Sequence, residues 1–152
     1  MKIHLRQIPA DGLHLEGEEE CLLLPELEAE GVRCAGLLRY NIDIGASDGA
    51  LWANGTLVQP AELRCVACLE SFRHDINVKA FAMHEELHGP ETFDLTPFMR
   101  EDVLLNLPPH PHCDRDGGRV CKAAQITPDD VAQIKAQPDW SALDKLKIGQ
   151  QK

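Results

Sequence analysis

Hydrophobic and polar residues alternate with a period of two through much of the first half of the chain. Such alternation is typical of β-strands that bury one face. At the N-terminus, Ile3 and Leu5 alternate with polar neighbours and predict a strand at residues 2–8. Further along, strand-like runs follow one another with turn residues between them, which predicts an antiparallel β meander. The predicted strands of the meander lie at residues 32–44, 50–58, 63–65 and 72–83.

After Pro90 the spacing of apolar residues becomes helical. Thr96 and Pro97 have the residue types of a helix N-cap and of the first helical position. The helix is predicted to end near Asn106, because the Pro108–Pro109 pair that follows cannot continue it.

The remainder of the chain is predicted to contain a loop at residues 110–121 and two short helices within residues 128–147. Thr127 precedes a proline and two acidic residues, which together favour a helix start. Pro138 ends that helix, and Trp140 belongs to the last one.

The predicted fold class is therefore α+β: an antiparallel β meander with a packed helix and a short C-terminal helical tail. A chain of 152 residues fits one domain and can bury a core without disulfides or metals. The predicted organisation is an acidic N-terminal segment with one strand at residues 1–31, followed by a domain at residues 32–147. Its parts are the β meander at residues 32–83, the helix and cysteine loop at 96–121 and the C-terminal helices at 128–147.

The charge of the chain indicates which kind of partner it binds. The net charge is −10, and residues 1–30 contain eight acidic and two basic residues, a net charge of −6. A large basic surface for nucleic acid is therefore not expected, whereas the acidic end suits a basic partner. No apolar run approaches the roughly 20 residues that span a bilayer. The N-terminus also lacks the apolar core of a signal peptide. We therefore expect a cytoplasmic protein without a membrane partner.

Four of the six cysteines lie in predicted turns or loops: Cys65, Cys68, Cys113 and Cys121. The first two form a C-x2-C pair, a spacing that lets a tight turn present two thiolates to one zinc ion, and the other two form a longer C-x7-C pair. We predict that these four residues bind a structural zinc ion that fastens the loop at 110–121 to the turn of the sheet. His110 and His112 are possible ligands in place of Cys121.

Two other interpretations of the C-x2-C pair remain open. A redox pair of the thioredoxin type begins a helix, whereas the residues that follow Cys68 have a strand pattern. The second alternative is a set of reduced thiols without a metal. Cys21 and Cys34 have apolar neighbours and are predicted to be small buried side chains. No disulfide is expected, because disulfides are rare in the cytosol.

Residues 84–88 match the H-E-x-x-H pattern. On a helix this pattern binds zinc through its two histidines, with Glu85 as the general base of a protease. The preceding residues are as strand-like as they are helical, and Gly89–Pro90 would end a helix at once. We therefore expect a polar loop at the end of a strand. The chain has no P-loop and no serine nucleophile elbow, and we expect neither an enzyme nor a small-molecule substrate.

Three stretches of the chain together resemble a known family. They are LRCVACLESF at residues 63–72, REDVLLNLPPHPHC at residues 100–113 and PDWSALDKLK at residues 138–147. In this order they resemble the YceD-like proteins, bacterial and plastid proteins named for large ribosomal RNA subunit accumulation. The resemblance covers about residues 60–147, and the N-terminal third is similar only in general style.

The resemblance implies a non-enzymatic factor that supports 23S rRNA accumulation during biogenesis of the large ribosomal subunit. It places the C-x2-C pair and Cys113 at cysteine positions of the family, and Cys121 at a cysteine position of some members. This chain has Val66–Ala67 where many members have a basic residue. Because an acidic surface repels phosphates, we expect a basic ribosomal protein as the main partner. Large-subunit rRNA or its precursor is the other expected partner. The rival functions are a direct RNA-binding zinc module and an H-E-x-x-H zinc protease.

Overall fold

A computed structural model describes residues 1–47, 49–87 and 91–125 of the chain. These residues form mostly antiparallel β-sheet, with one α-helix and short 3-10 turns among them. The chain divides into two compact units, Met1–Cys121 and Lys122–Lys152. Of the second unit the structure describes only a 3-10 turn, Lys122–Gln125.

Seven strands and one helix make up the first unit in the part of the chain that the structure describes. A five-stranded sheet contains β2 (Leu13–Glu19), β3 (Val32–Cys34), β4 (Leu38–Ser47), β5 (Ala50–Arg64) and β6 (Ser71–Glu86). A separate two-stranded sheet pairs β1 (Lys2–His4) with β7 (Thr92–Asp94). The helix α1 spans Thr96–Leu105, and 3-10 turns lie at Leu5–Gln7 and Pro25–Glu30.

The long strand β5 is the centre of the larger sheet. β6 pairs with β5 along one edge over its full length. On the other edge, β4 pairs with β5 from Ala50 to Val58 and β3 pairs with it from Ala61 to Leu63. β2 then pairs with the outer side of β4. All of these pairings are antiparallel, as the alternating pattern predicts.

The hydrophobic core lies on one face of this sheet, because side chains alternate between the two faces of a strand. In β5 the alternate residues Leu51, Ala53, Leu57, Ala61 and Leu63 are all buried. The helix α1 packs against β6 and β5 and buries Met99 and Val103. The opposite face of the sheet carries the polar members of the alternation, and it is considered again below.

The N-terminal segment needs a correction. Residues 1–31 contain two strands, β1 and β2, where one was predicted. The strand predicted at 2–8 ends at His4 and continues as a 3-10 turn. The strand β2 was not predicted because it lies partly in a Glu-rich run, and Glu has a low strand propensity. Seven cross-strand residue pairs with β4 hold β2 in the larger sheet.

The predicted strands at 50–58 and 63–65 are one continuous strand, β5. A proline inside a strand normally argues against a central position, because it cannot donate a hydrogen bond to the ladder. Pro60 is tolerated because it lies between the part of β5 that pairs with β4 and the part that pairs with β3. The gap between the two neighbouring strands thus allows the proline without ending the strand.

The helix at Thr96–Leu105 confirms the predicted helix, but its start differs in detail. Thr96 was predicted to be the N-cap; instead the Asp94 carboxylate accepts a hydrogen bond from the backbone N–H of Thr96 at 2.9 Å. Hydrogen bonds from the side chain and from the backbone N–H of Thr96 lower the pKa of Asp94. The C-terminal helices predicted within residues 128–147 lie outside the described residues.

Candidate metal centre

The C-x2-C pair lies in a tight turn between β5 and β6. Two backbone hydrogen bonds close this turn: Cys65 N–H donates to Glu70 O at 2.9 Å, and Leu69 N–H donates to Cys65 O at 3.0 Å. Leu69 has a φ of 62°, in the left-handed region that glycine normally occupies. This reversal returns the chain directly into β6, so that both thiols of the pair point to one side.

The second pair of cysteines lies in the loop that follows α1. The carbonyl of Pro111 in this loop accepts a hydrogen bond from Val66 N–H of the turn at 3.0 Å. Inside the loop, the Asp116 carboxylate accepts a bond from His112 N–H at 2.8 Å, and Cys113 O accepts one from Arg119 N–H at 3.1 Å. These bonds fold the seven residues between the cysteines into a compact loop and bring Cys121 back to the turn.

The four sulfur atoms form a compact group. Cys68 Sγ lies 3.7 Å from Cys113 Sγ, and Cys65 Sγ lies 3.9 Å from Cys121 Sγ. All four lie within 4.8 Å of one another. A tetrahedral zinc site with bonds of about 2.3 Å requires sulfur–sulfur distances of about 3.8 Å. The group therefore has the donor type, number and spacing of a tetrahedral thiolate site and could hold a metal ion.

Burial and backbone donors give the thiols unequal acidity. Cys65, Cys113 and Cys121 are buried and Cys68 is partly exposed. Hydrogen bonds to the Cys65 sulfur, above all from the backbone at Cys68 and then at Cys113, lower its pKa to about 6. Desolvation by burial raises the pKa of Cys113 to about 12. A bound cation would favour the thiolate form of every one of these groups.

Arg119 stands beside the cysteine group, and sequence reasoning did not identify it. Its guanidinium donates a hydrogen bond to the carbonyl of Ser71 at 2.8 Å and lies 3.8 Å from the Glu70 carboxylate. Its interaction with the Cys113 sulfur raises the pKa of Arg119. The positive charge of this residue is placed to offset part of the negative charge that a four-thiolate site would carry.

The structure brings together all four residues of the predicted site. Cys121 occupies the fourth position, whereas the His112 ring lies 3.9 Å from the Asp114 carboxylate and His110 is exposed. The C-x2-C pair is followed by the strand β6 rather than by a helix, as the sequence pattern predicts. The local geometry therefore differs from that of a thioredoxin-type redox pair.

Cys21 and Cys34 require a correction, since they were predicted to be buried thiols. They form a disulfide with a Cα–Cα distance of 6.2 Å, and Cys34 is exposed at the end of β3. Tertiary pairing causes this arrangement: the antiparallel pairing of β3 with β5 places Cys34 within reach of the segment that leaves β2. The spacing of 13 residues alone does not reveal the bond.

The H-E-x-x-H stretch does not have helical geometry in its described part. His84 and Glu85 lie in β6, where successive side chains point to opposite faces of the sheet. The pattern needs a helix to bring its two histidines together. His88 lies outside the described residues.

Among the described residues, no helix is long and apolar enough to cross a membrane. Comparisons with models of protein families, with curated proteins and with solved structures find no match.

Proposed function

We propose that Cys65, Cys68, Cys113 and Cys121 bind one structural zinc ion. The observation that carries this proposal is the convergence of four thiols within 4.8 Å of one another. Zinc favours four thiolates in a closed tetrahedron, and it accepts this geometry without a redox change. The ion would fasten the loop after α1 to the turn between β5 and β6. Both segments lack regular secondary structure, so a cross-link would stabilise them.

A site of this kind has no open coordination position, because all four ligands come from the protein. Catalytic zinc sites keep one position for water or substrate. We infer that the centre maintains structure and that the protein acts by binding, without an enzymatic activity of its own.

We propose that the protein is a factor that supports 23S rRNA accumulation and large ribosomal subunit biogenesis. The proposal rests on the resemblance of residues 60–147 to the YceD-like proteins and on the acidic N-terminal third. Exposed glutamates line β2 and the 3-10 turn that follows it: Glu16, Glu18, Glu26, Glu28 and Glu30. Such a surface attracts a basic ribosomal protein and repels bare phosphates.

The test is capture of partners from native bacterial lysate, with and without ribonuclease. We expect basic ribosomal proteins to remain bound after ribonuclease treatment. A variant with Glu16→Gln and Glu18→Gln should retain less of them than wild type. A variant with Asp114→Asn and Glu101→Gln removes the same charge elsewhere and is the control. Loss of all partners with ribonuclease would reject the proposed protein partner.

One observation favours direct RNA binding as a second candidate function. Residues 10–78 contain only four basic residues, Arg33, Arg39, Arg64 and Arg73. The strand register places all four on the exposed face of the larger sheet. Acidic neighbours reduce this charge: Glu62 lies between Arg33 and Arg73, and Asp75 contacts Arg39 at 3.4 Å.

Binding of a labelled 20-nucleotide RNA over a range of salt concentrations would test this second function. If the arginines contact phosphates, Arg33→Gln with Arg73→Gln should reduce the slope of log affinity against log salt by about 1.4, since each contact on a single strand contributes about 0.7. Lys2→Gln with Arg6→Gln removes the same charge elsewhere and should leave the slope unchanged. Equal slopes in all three proteins would exclude a role for the arginine face.

A further inference from the structure

A cleft lies on the exposed face of the larger sheet, at the end where β2, β4 and β5 meet. The register joins His14, Asp43 and Asn54 in one cross-strand row, and Trp52 is two residues from Asn54 in β5. All four side chains therefore share the face opposite the core. The cleft has a volume of about 430 Å³, within the range of about 300–1,000 Å³ that is usual for binding pockets.

The indole of Trp52 packs against a glycine of the neighbouring strand. Any side chain at Gly45 would overlap the indole, so the ring lies directly on the β4 backbone. The indole is only partly buried and forms one wall of the cleft. A large aromatic ring thus lies in a position that a ligand can contact.

Two carboxylates and an amide line the cleft beside the imidazole of His14. The Asp43 carboxylate lies 2.7 Å from Nδ1 of His14, and Asp11 supplies a second carboxylate. No lysine or arginine lines the cleft within the described residues. Glu16 extends the same face next to His14 along β2. An anion would be repelled here, whereas a cation would meet carboxylates and the face of an indole.

We propose that this cleft, named here the Trp52 cleft and formed by Asp11, His14, Asp43, Trp52 and Asn54, receives a lysine or arginine side chain from a basic protein segment. A cation over an indole is attracted by the negative face of the ring, and neighbouring carboxylates add a charge-assisted hydrogen bond. The exposed glutamates of β2 attract the rest of a basic segment. The choice of a protein segment as occupant rests on the proposed function, in which a basic ribosomal protein is the partner.

Fluorescence can locate the bound cation, because the chain has only two tryptophans, Trp52 and Trp140. In a full-length Trp140→Phe variant, Trp52 is the only source of tryptophan emission. Titration with a nona-arginine peptide at low salt should change this emission in a saturable manner. Anisotropy of a labelled peptide gives the affinity in parallel. An unchanged Trp52 emission at saturation of the anisotropy would overturn the proposal.

Two substitutions separate the cleft from general attraction between opposite charges. Asp11→Asn with Asp43→Asn should weaken peptide binding by roughly ten-fold, equivalent to about 1.4 kcal/mol, because both carboxylate charges of the cleft are lost. Glu26→Gln with Glu30→Gln removes the same charge from the 3-10 turn and should weaken binding less than three-fold. Equal losses in the two variants would refute a specific cleft. Thermal unfolding of each variant verifies that the fold is intact.

Trp52→Leu tests the aromatic wall of the cleft. It should weaken binding of the labelled peptide by about five-fold, because a cation–π interaction contributes about 1 kcal/mol. An unchanged affinity would overturn the role of the indole. Binding of N-acetyl-arginine amide as tightly as the peptide would overturn the assignment to a protein segment.

The experiments distinguish failure of the cleft proposal from failure of the proposed function. If the variant with Asp11→Asn and Asp43→Asn still captures ribosomal proteins from lysate as wild type does, the cleft proposal fails and the proposed function stands. If wild type captures no ribosomal protein but its Trp52 responds to nona-arginine as described, the proposed function fails and the cleft remains a site for cationic side chains.

Discussion

Cys68 Sγ lies 3.7 Å from Cys113 Sγ, although 45 residues separate the two cysteines in the chain. Two further thiols lie beside this pair. We therefore expect one zinc ion per chain after purification without chelators. Cys68→Ser should lose the ion and several kcal/mol of folding free energy, because metal binding is coupled to folding. His112→Ala should keep the zinc ion. Metal analysis measures the zinc content of each variant, and urea unfolding measures its folding free energy. Zinc retained by Cys68→Ser would contradict the proposed ligand set.

The acidity of Cys65 predicts how many protons zinc releases at different pH. Without a metal, backbone hydrogen bonds lower the pKa of Cys65 to about 6, so this thiol carries a proton at pH 5 and has lost it at pH 7.5. Cys113, with a pKa raised by burial to about 12, must release its proton to zinc at either pH. The number of protons released per zinc should therefore fall by about one between pH 5 and 7.5.

Calorimetry in buffers of different ionisation enthalpy measures this number. A Cys65→Ser variant that still binds zinc should show no such step. A constant number of released protons in wild type across the same pH range would contradict the role of Cys65.

Replacing Leu69 with glycine should stabilise the protein. Its φ of 62° places it in the left-handed region, where a Cβ costs roughly 1–2 kcal/mol. Glycine removes this cost but loses more backbone entropy on folding, so Leu69→Gly should raise the free energy of unfolding by about 0.5 kcal/mol. Val66 is also exposed in the same turn, without a positive φ. Val66→Gly should therefore destabilise the protein, and urea unfolding compares the two. Destabilisation of similar size in both variants would refute the strain at Leu69.

Gln59 should be intolerant of an apolar substitute. It is fully buried, its Oε1 accepts a bond from Leu22 N–H at 3.1 Å, and its Nε2 donates to the carbonyls of Gly36 and Pro60 at 3.0 Å each. Gln59→Leu removes all three bonds and leaves the buried Leu22 N–H without this partner, whereas the Pro60 carbonyl keeps its bond from Ala35 N–H; the change should cost about 2 kcal/mol. Gln7→Leu, at an exposed position, should change stability by less than about 0.5 kcal/mol. Similar unfolding midpoints in urea for both variants would contradict this account.

The disulfide between Cys21 and Cys34 should contribute about 3 kcal/mol to stability, because it closes a loop of 13 residues in the unfolded chain. Cys21→Ser with Cys34→Ser should lower the free energy of unfolding by that amount. A mild reductant should lower the stability of wild type and leave that of the double variant unchanged. The four cysteines of the metal centre serve as an internal control, since their zinc content should be the same in both proteins. Equal sensitivity of the two proteins to reductant would argue against the bond.

The sequence by itself determined the antiparallel β character of the middle of the chain, the helix at Thr96–Leu105 and the four cysteines that converge. The strand bounds were partly wrong, since the strand predicted at 32–44 is divided into β3 and β4, which both pair with β5. Local physics suffices for these features. A period of two specifies a strand with one buried face, and the residues on either side of a helix limit its length. Cysteines placed in turns, rather than within regular elements, are free to meet.

Tertiary structure decided the features that depend on which strands become neighbours. The pairing of β2 with β4 overrides the low strand propensity of a Glu-rich run, and the pairing of β3 with β5 places Cys34 beside Cys21. The same register sets Trp52 on Gly45 next to the row of His14 and Asp43. Such contacts join residues far apart in the chain, and no local pattern encodes them, because side-chain periodicity specifies a face of the sheet but not the strand across from it.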